Sequence, residues 1–150
     1  MRRRRGFSIH ELLVTMVIIG LLAQIALPRY SEMKRRAIAA AIMGDVHAIR
    51  IAAFSYYTEN SLFPPDAATG TLPSQLVDNL PTGFTFDRPD YDYDWHVWSM
   101  PTKSGTETFV GISVIVSDPR LAAQLVKTAG AGYIPIITPT QITFLVASTS

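Results

Sequence analysis

Cysteine is missing from the sequence, and charged residues are scarce. The first absence excludes disulfide bonds, thiolate metal sites and cysteine nucleophiles, although it does not identify a cellular compartment. Charged residues make up 17% of the 150 residues, against roughly 25% in an average soluble protein. Because apolar residues make up 48%, part of the chain is expected to avoid water. The length leaves room for about one domain, at ~100–200 residues per domain.

Familiar catalytic patterns are missing as well. No Ser-His-Asp order, HExxH pattern or glycine-rich phosphate loop accompanies His47 or His96. Ser99, Ser104 and Ser113 lack the glycine context of a nucleophile elbow. We therefore expect that the chain is not an enzyme.

A basic run followed by a long apolar run opens the sequence. Four of the thirteen basic residues are Arg2–Arg5, and the residues from Phe7 to Leu27 carry one formal charge, Glu11. As a helix with about 1.5 Å rise per residue, this run spans roughly 31 Å and matches a hydrocarbon core of about 30 Å. The positive-inside rule places the arginines in the cytoplasm and the residues after Leu27 on the other side of the membrane.

The acidic side chain in this run needs its own explanation. A carboxylate at the middle of a membrane helix costs about 2.5–3.5 kcal/mol on insertion scales, and less near an end. A cleaved secretory signal fits poorly, because the nearest small-x-small site, Gln24–Ala26, begins with glutamine. An uncleaved signal anchor explains the arginines and the apolar run but gives no reason for Glu11. We therefore expect Glu11 to have a partner.

The string GFSIHELLVTMVIIGLLAQIALPRY resembles the leader junction and N-terminal helix of type IV prepilins and type II secretion pseudopilins. The resemblance implies cleavage between Gly6 and Phe7 by a prepilin peptidase, followed by N-methylation of Phe7. Glu11 is then the fifth residue of the mature chain, where the family carries its glutamate. His10 stands where the family more often has an apolar residue. A free α-amine is mostly charged at neutral pH, so Glu11 of a neighbouring subunit is expected to pair with the Phe7 amine.

Beyond the apolar run, Pro28 either ends the helix or kinks it where the chain leaves the bilayer. The following residues favour a kink, since 30–60 contain no further proline and have apolar residues at spacings of three and four. This pattern predicts an amphipathic helix over 29–60. Its bulky face comprises Ile38, Ile42, Val46, Ile49, Ala53 and Tyr56.

The opposite face of the predicted helix carries small residues. They are Ala37, Ala40, Ala41, Gly44, Ala48, Ala52 and Ser55. Small residues permit close approach of another helix, but alanine is also simply a good helix former. The charged residues of 32–36 are interpreted as a solvated or headgroup-level band, and a nucleic-acid partner is not expected.

A connection rich in proline and glycine, Leu62–Pro81, separates the helix from a region with strand periodicity. Strands are predicted over 84–86, 91–97, 109–116 and 142–147. Asp118 and Pro119 predict the N-terminus of a short helix that ends before Gly130. The predicted fold class is α+β, with a long N-terminal helix packed on a small antiparallel sheet.

Aspartates alternate with aromatic residues along the predicted strand 91–97. Some major pseudopilins bind calcium in a loop of this region, which makes Asp90, Asp92 and Asp94 weak calcium candidates. However, alternate residues of a straight strand do not converge, and the glycine turn and distal glutamate of an EF-hand are missing. We therefore expect a solvated strand face and no cofactor.

The resulting domain prediction is a cleaved leader at 1–6, a transmembrane and assembly helix at 7–28, an amphipathic helix at 29–60 and a β-rich head at 61–150. The resemblance implies a structural subunit of a type IV pilus or a pseudopilus, held in the bacterial inner membrane with its head in the periplasm. Its expected partners are like subunits, prepilin peptidase, an assembly platform and, before assembly, membrane lipid. The alternative is a membrane-anchored periplasmic binding module or enzyme that uses the N-terminus only as a tether.

Overall fold

A computed structural model describes residues 7–102, 105–130, 133, 135–138 and 140–149. The helices and strands, in chain order, are α1 (Ile9–Asn60), a 3-10 helix (Ser74–Asn79), β1 (Tyr91–Thr102), β2 (Gly105–Val116), α2 (Pro119–Ala129), β3 (Pro135–Ile137) and β4 (Gln141–Thr149). The α+β class is therefore confirmed. The chain divides into two compact units, of which the first ends at Arg35 and the second begins at Arg36.

Helix α1 continues through Pro28 and ends where the sequence pattern places its end. Ser61 follows the last helical residue with a positive φ of 56°, and its N–H donates to the Tyr57 carbonyl at 2.7 Å. A left-handed residue after the last turn is a common helix terminator, because its N–H satisfies a terminal carbonyl. The kink at Pro28 remains a prediction.

The four strands form one antiparallel sheet in the order β1-β2-β4-β3. The ladder between β2 and β4 shifts register between Val110 and Gly111. A Cβ on Gly111 would lie 3.0 Å from both the Trp98 ring and the Thr143 methyl group. A side chain at this position would therefore require the Trp98 ring and the Thr143 methyl group to move.

The core of the second unit lies between the sheet and the part of α1 that begins at Arg36. Ile42, Val46 and Ile49 are fully buried, as the bulky face predicted. On the sheet they share one cluster with Trp95 and Phe144. Burying each such side chain contributes about 1.5–3 kcal/mol, so this face stabilises the second half of α1 more than helix propensity does.

Helix α2 begins and ends at the predicted residues. The Asp118 carboxylate accepts a hydrogen bond from the Arg120 N–H at 2.9 Å, and Pro119 occupies the first helical position. Gly130 follows the last turn with a φ of 62°. Leu121 and Leu125 are buried in the same core cluster.

One predicted strand is wrong, and one short strand was not predicted. Residues 84–86 form no strand; instead Phe86 is buried and its carbonyl accepts from the Tyr93 N–H at 2.9 Å. Strand β3 and the 3-10 helix were not predicted, because β3 has three residues and the 3-10 helix lies within the proline-rich connection. The small residues predicted on one face of α1 do not share one environment. Ala52 is buried, whereas Ala40 and Gly44 are exposed.

The remaining edge of β1 is covered by residues 64–70, which we call the strap. The Ala67 N–H donates to the Trp95 carbonyl at 3.2 Å, and the Gly70 N–H donates to the Tyr93 carbonyl at 2.9 Å. An uncovered strand edge presents unpaired backbone groups to other chains. The strap satisfies part of this edge, and next to it Asp87 and Asp92 form one isolated bridge.

Candidate functional site

The N-terminal part of α1 exposes almost all of its apolar side chains. Phe7 is 77% exposed and Leu27 is 67% exposed. α1 contains a stretch that is long and apolar enough to cross a membrane, and none of that stretch is buried in the chain. Large exposed apolar surfaces mark sites of contact with membranes or other proteins.

The first turn of α1 places the predicted assembly residue in a capping box. The Ser8 N–H donates to the Glu11 carboxylate at 3.1 Å, and the Ser8 hydroxyl accepts from the His10 N–H at 3.3 Å. Two N–H groups at the helix start are thereby satisfied, and a carboxylate there also interacts favourably with the helix dipole. Ser8 was not among the residues predicted from the sequence, although S-x-x-E at Ser8–Glu11 is the pattern of this motif.

The capping box leaves Glu11 accessible to other molecules. Glu11 is exposed, and Phe7 directly precedes the capping serine. An α-amine at Phe7 would therefore lie at the same end of α1 as the carboxylate. Gly6, the other residue of the predicted cleavage point, lies outside the described residues.

The predicted solvated face is wrong at one of the three candidate aspartates, Asp94. Asp90 is exposed and Asp92 is half-buried, but Asp94 is only 4% exposed. Its carboxylate accepts from the Thr69 hydroxyl at 2.9 Å and lies 2.8 Å from the His96 ring. Among the described residues, no group of three histidine, cysteine, aspartate or glutamate side chains is arranged to hold a metal ion.

Two of the serines considered as catalytic candidates hydrogen-bond to threonine side chains. The Ser113 hydroxyl is buried and hydrogen-bonds the Thr143 hydroxyl at 2.8 Å. The Ser99 hydroxyl lies 3.3 Å from that of Thr108. These two serines therefore have threonine partners, and Ser104 lies outside the described residues.

Comparison with known proteins gives one family model and several similar proteins. Residues 1–27 match a family model described as the prokaryotic N-terminal methylation motif. The type II secretion system core protein G of Klebsiella pneumoniae is 34% identical over 64 residues, which are 43% of this chain and 46% of that protein. A fimbrial protein of Pseudomonas aeruginosa is 36% identical over 59 residues, which are 39% of this chain and 38% of that protein.

The matches span less than half the length of these relatives. No solved structure matches the chain significantly. The resemblance to type IV pilins and pseudopilins is nevertheless confirmed, because the methylation motif and both named relatives agree with it. A pilin-like or pseudopilin-like structural subunit is the class of protein that these findings support.

Proposed function

We propose that this chain is a structural subunit of a type IV pilus or a pilus-like secretion filament. The observation that carries the proposal is the methylation motif at residues 1–27, which includes the exposed apolar N-terminal part of α1. That surface is suited first to a bilayer and then to the apolar helices of neighbouring subunits. Pilins and pseudopilins are structural proteins, so we assign no catalytic role.

The proposed processing removes residues 1–6. A prepilin peptidase cleaves between Gly6 and Phe7, and the new α-amine of Phe7 is methylated. The four arginines Arg2–Arg5 support a cytoplasmic leader and hence a head on the periplasmic side of the inner membrane.

The proposed assembly step joins Glu11 of one subunit to the α-amine of Phe7 of another. Both groups lie at the same exposed end of α1. A lone charge in apolar surroundings costs several kcal/mol, so pairing the two offsets part of that penalty and sets the step between subunits. The proposed partners are identical or related subunits and an inner-membrane assembly platform.

Mass spectrometry of the mature N-terminus tests the proposed processing. We expect a chain that begins at Phe7 and carries an added methyl group when prepilin peptidase is present. The same chain from cells without the peptidase is the control and should keep residues 1–6. Retention of the leader in both strains would refute the assignment.

A further inference from the structure

The strap, residues 64–70, is attached to β1 by side chains as well as by its backbone. The Val97 N–H donates to the Asp66 carboxylate at 2.8 Å, and the Trp95 indole N–H donates to the Pro64 carbonyl at 3.1 Å. The Thr69 hydroxyl donates to the Asp94 carboxylate. Each of these three bonds joins a residue of the strap to a residue of β1.

One imidazole ring lies between two carboxylates at this junction. His96 Nε2 is 2.8 Å from Asp94 Oδ2, and His96 Nδ1 is 3.5 Å from Asp66 Oδ1. Asp94 belongs to β1, whereas Asp66 belongs to the strap, so the ring connects the two segments. In the described part of the chain, no other cation is within ion-pair distance of either carboxylate.

The protonation state of the ring decides whether this arrangement is attractive. An ionised carboxylate only accepts hydrogen bonds, and a neutral imidazole has one N–H and one lone pair. A neutral ring between two carboxylates therefore turns its lone pair toward one of them. The charged ring presents N–H groups to both and balances part of their negative charge.

The environment of Asp94 strengthens the dependence on that charge. Asp94 is 4% exposed, and its Oδ1 is buried without a hydrogen-bond partner. On the sheet, Asp94 pairs in register with Ser113. The Ser113 hydroxyl is neutral and hydrogen-bonds to the Thr143 hydroxyl. A buried carboxylate without a compensating cation is costly, so the charged His96 ring adds to the hydrogen bond from Thr69 in stabilising Asp94.

We propose that His96 is a proton-dependent latch that holds the strap on the edge of β1. The charged ring joins Asp66 to Asp94 and closes the latch. As the pH rises through the interval of about 5 to 8 in which histidine side chains lose their charge, the ring stops bridging and the strap is held less tightly, by its remaining hydrogen bonds to β1 alone. The stabilisation is thus present at low pH in this interval and lost as the pH rises. The proposal does not depend on the proposed filament function.

Hydrogen exchange of the full-length chain in detergent tests the latch. Protection of the Val97, Ala67 and Gly70 amides is measured at about pH 5.5 and about pH 8, with each rate divided by the intrinsic rate at that pH. We expect protection to fall roughly fivefold at the higher pH, the upper end of what a partly exposed ion pair contributes. The Ile112 amide in the sheet core serves as the internal reference and should not change.

Two variants separate the latch from a general effect of pH. His96→Gln removes the charge and should show the lower protection at both pH values. Asp66→Asn keeps an oxygen that accepts from the Val97 N–H but removes one carboxylate, so its pH effect should shrink. Equal wild-type protection at both pH values would overturn the proposal, as would an unchanged pH effect in His96→Gln with the Ile112 amide still protected.

Discussion

At the scale of single residues, Glu11 carries two tasks. Within one chain its carboxylate accepts from the Ser8 N–H and closes the first turn of α1. In the proposed filament the same carboxylate pairs with the α-amine of another subunit. A carboxylate has two oxygens and about four acceptor positions, so the cap and the pair are compatible.

Substitution of Glu11 separates charge from capping. Glu11→Gln keeps an acceptor oxygen for the Ser8 N–H but removes the charge, whereas Glu11→Ala removes both. Since breaking a buried charge pair costs about 3–5 kcal/mol, we expect both variants to be cleaved normally and to enter filaments at least tenfold less. The measurement is an immunoblot of sheared filaments, with mass spectrometry of the N-terminus as the control. Wild-type incorporation of Glu11→Gln would refute the charge pair.

The hydroxyl of Tyr93 fixes β1 to α1. It donates to Asp45 Oδ2 at 2.9 Å, and Arg88 lies 3.6 Å from the same oxygen. Burial, reinforced by the negative charge of Asp45, raises the pKa of Tyr93 far above its ordinary value. The folded state therefore keeps this proton at pH values where the unfolded chain releases it.

This raised pKa predicts a loss of stability in alkali. Below about pH 10 both states hold the Tyr93 proton and the contribution is fully present. Above that pH only the unfolded state loses the proton, so the free energy of unfolding falls by up to about 1.4 kcal/mol per pH unit. Denaturant unfolding of the full-length chain in detergent from neutral to alkaline pH measures this slope.

The matched control for that slope is Tyr93→Phe, which keeps the ring and removes the ionisable hydroxyl. At neutral pH the variant should be less stable by about 0.5–1.5 kcal/mol, because one hydrogen bond is lost. Its alkaline slope should be shallower than that of the wild type. Identical slopes in the two proteins would contradict the role assigned to burial of Tyr93.

At the scale of elements, the helices could be predicted from the sequence because the residues that define them are close together in the chain. The spacing of Ile42, Val46 and Ile49 marks the buried face of α1, and Asp118 with Pro119 marks the start of α2. Residues 84–86 were wrongly predicted as a strand because two phenylalanines alternate there with a polar residue, as they would in a strand. The strap, which is remote in sequence from β1, already bonds part of the β1 edge.

The sheet contains one position where a single methyl group should matter. In Gly111→Ala the new Cβ would meet the Trp98 ring and the Thr143 methyl group at 3.0 Å. Overpacking of this kind costs about 1–3 kcal/mol. Denaturant unfolding should show that loss, and the exposed Gly44→Ala in α1 is the control.

The control should behave in the opposite way. A Cβ on Gly44 meets nothing within 4 Å, and alanine is about 1 kcal/mol more favourable than glycine inside a helix. We therefore expect Gly44→Ala to leave the free energy of unfolding unchanged or to raise it slightly. Equal effects of the two substitutions would show that the contact with Trp98 does not determine the choice of glycine.

At the scale of the whole molecule, the two parts of α1 differ in how far their apolar side chains are exposed. Its N-terminal part exposes apolar side chains, whereas its C-terminal part buries them against the sheet. Removing Arg2–Arg5 leaves nine basic residues against twelve acidic ones, so the proposed mature subunit is acidic.

The part of the candidate site that could be predicted is the part whose residues are neighbours in the sequence. Gly6, Phe7 and Glu11 stand within one short string, and the capping role of Ser8 was visible in the same string. The contact of His96 with Asp66 was not predictable. These residues are 30 positions apart, and only the path of the strap along β1 brings them together.

The central claim is that the processed chain is a filament subunit, and analysis of isolated filaments tests it most directly. Filaments are sheared or released from cells with an intact assembly machinery, and their subunits are identified by mass spectrometry. The account predicts that this chain is present in the filament fraction with methylated Phe7 at its N-terminus, and that the fraction is empty of it when the assembly machinery is deleted. Its retention in the membrane fraction of both strains, with residues 1–6 still attached, would contradict the account.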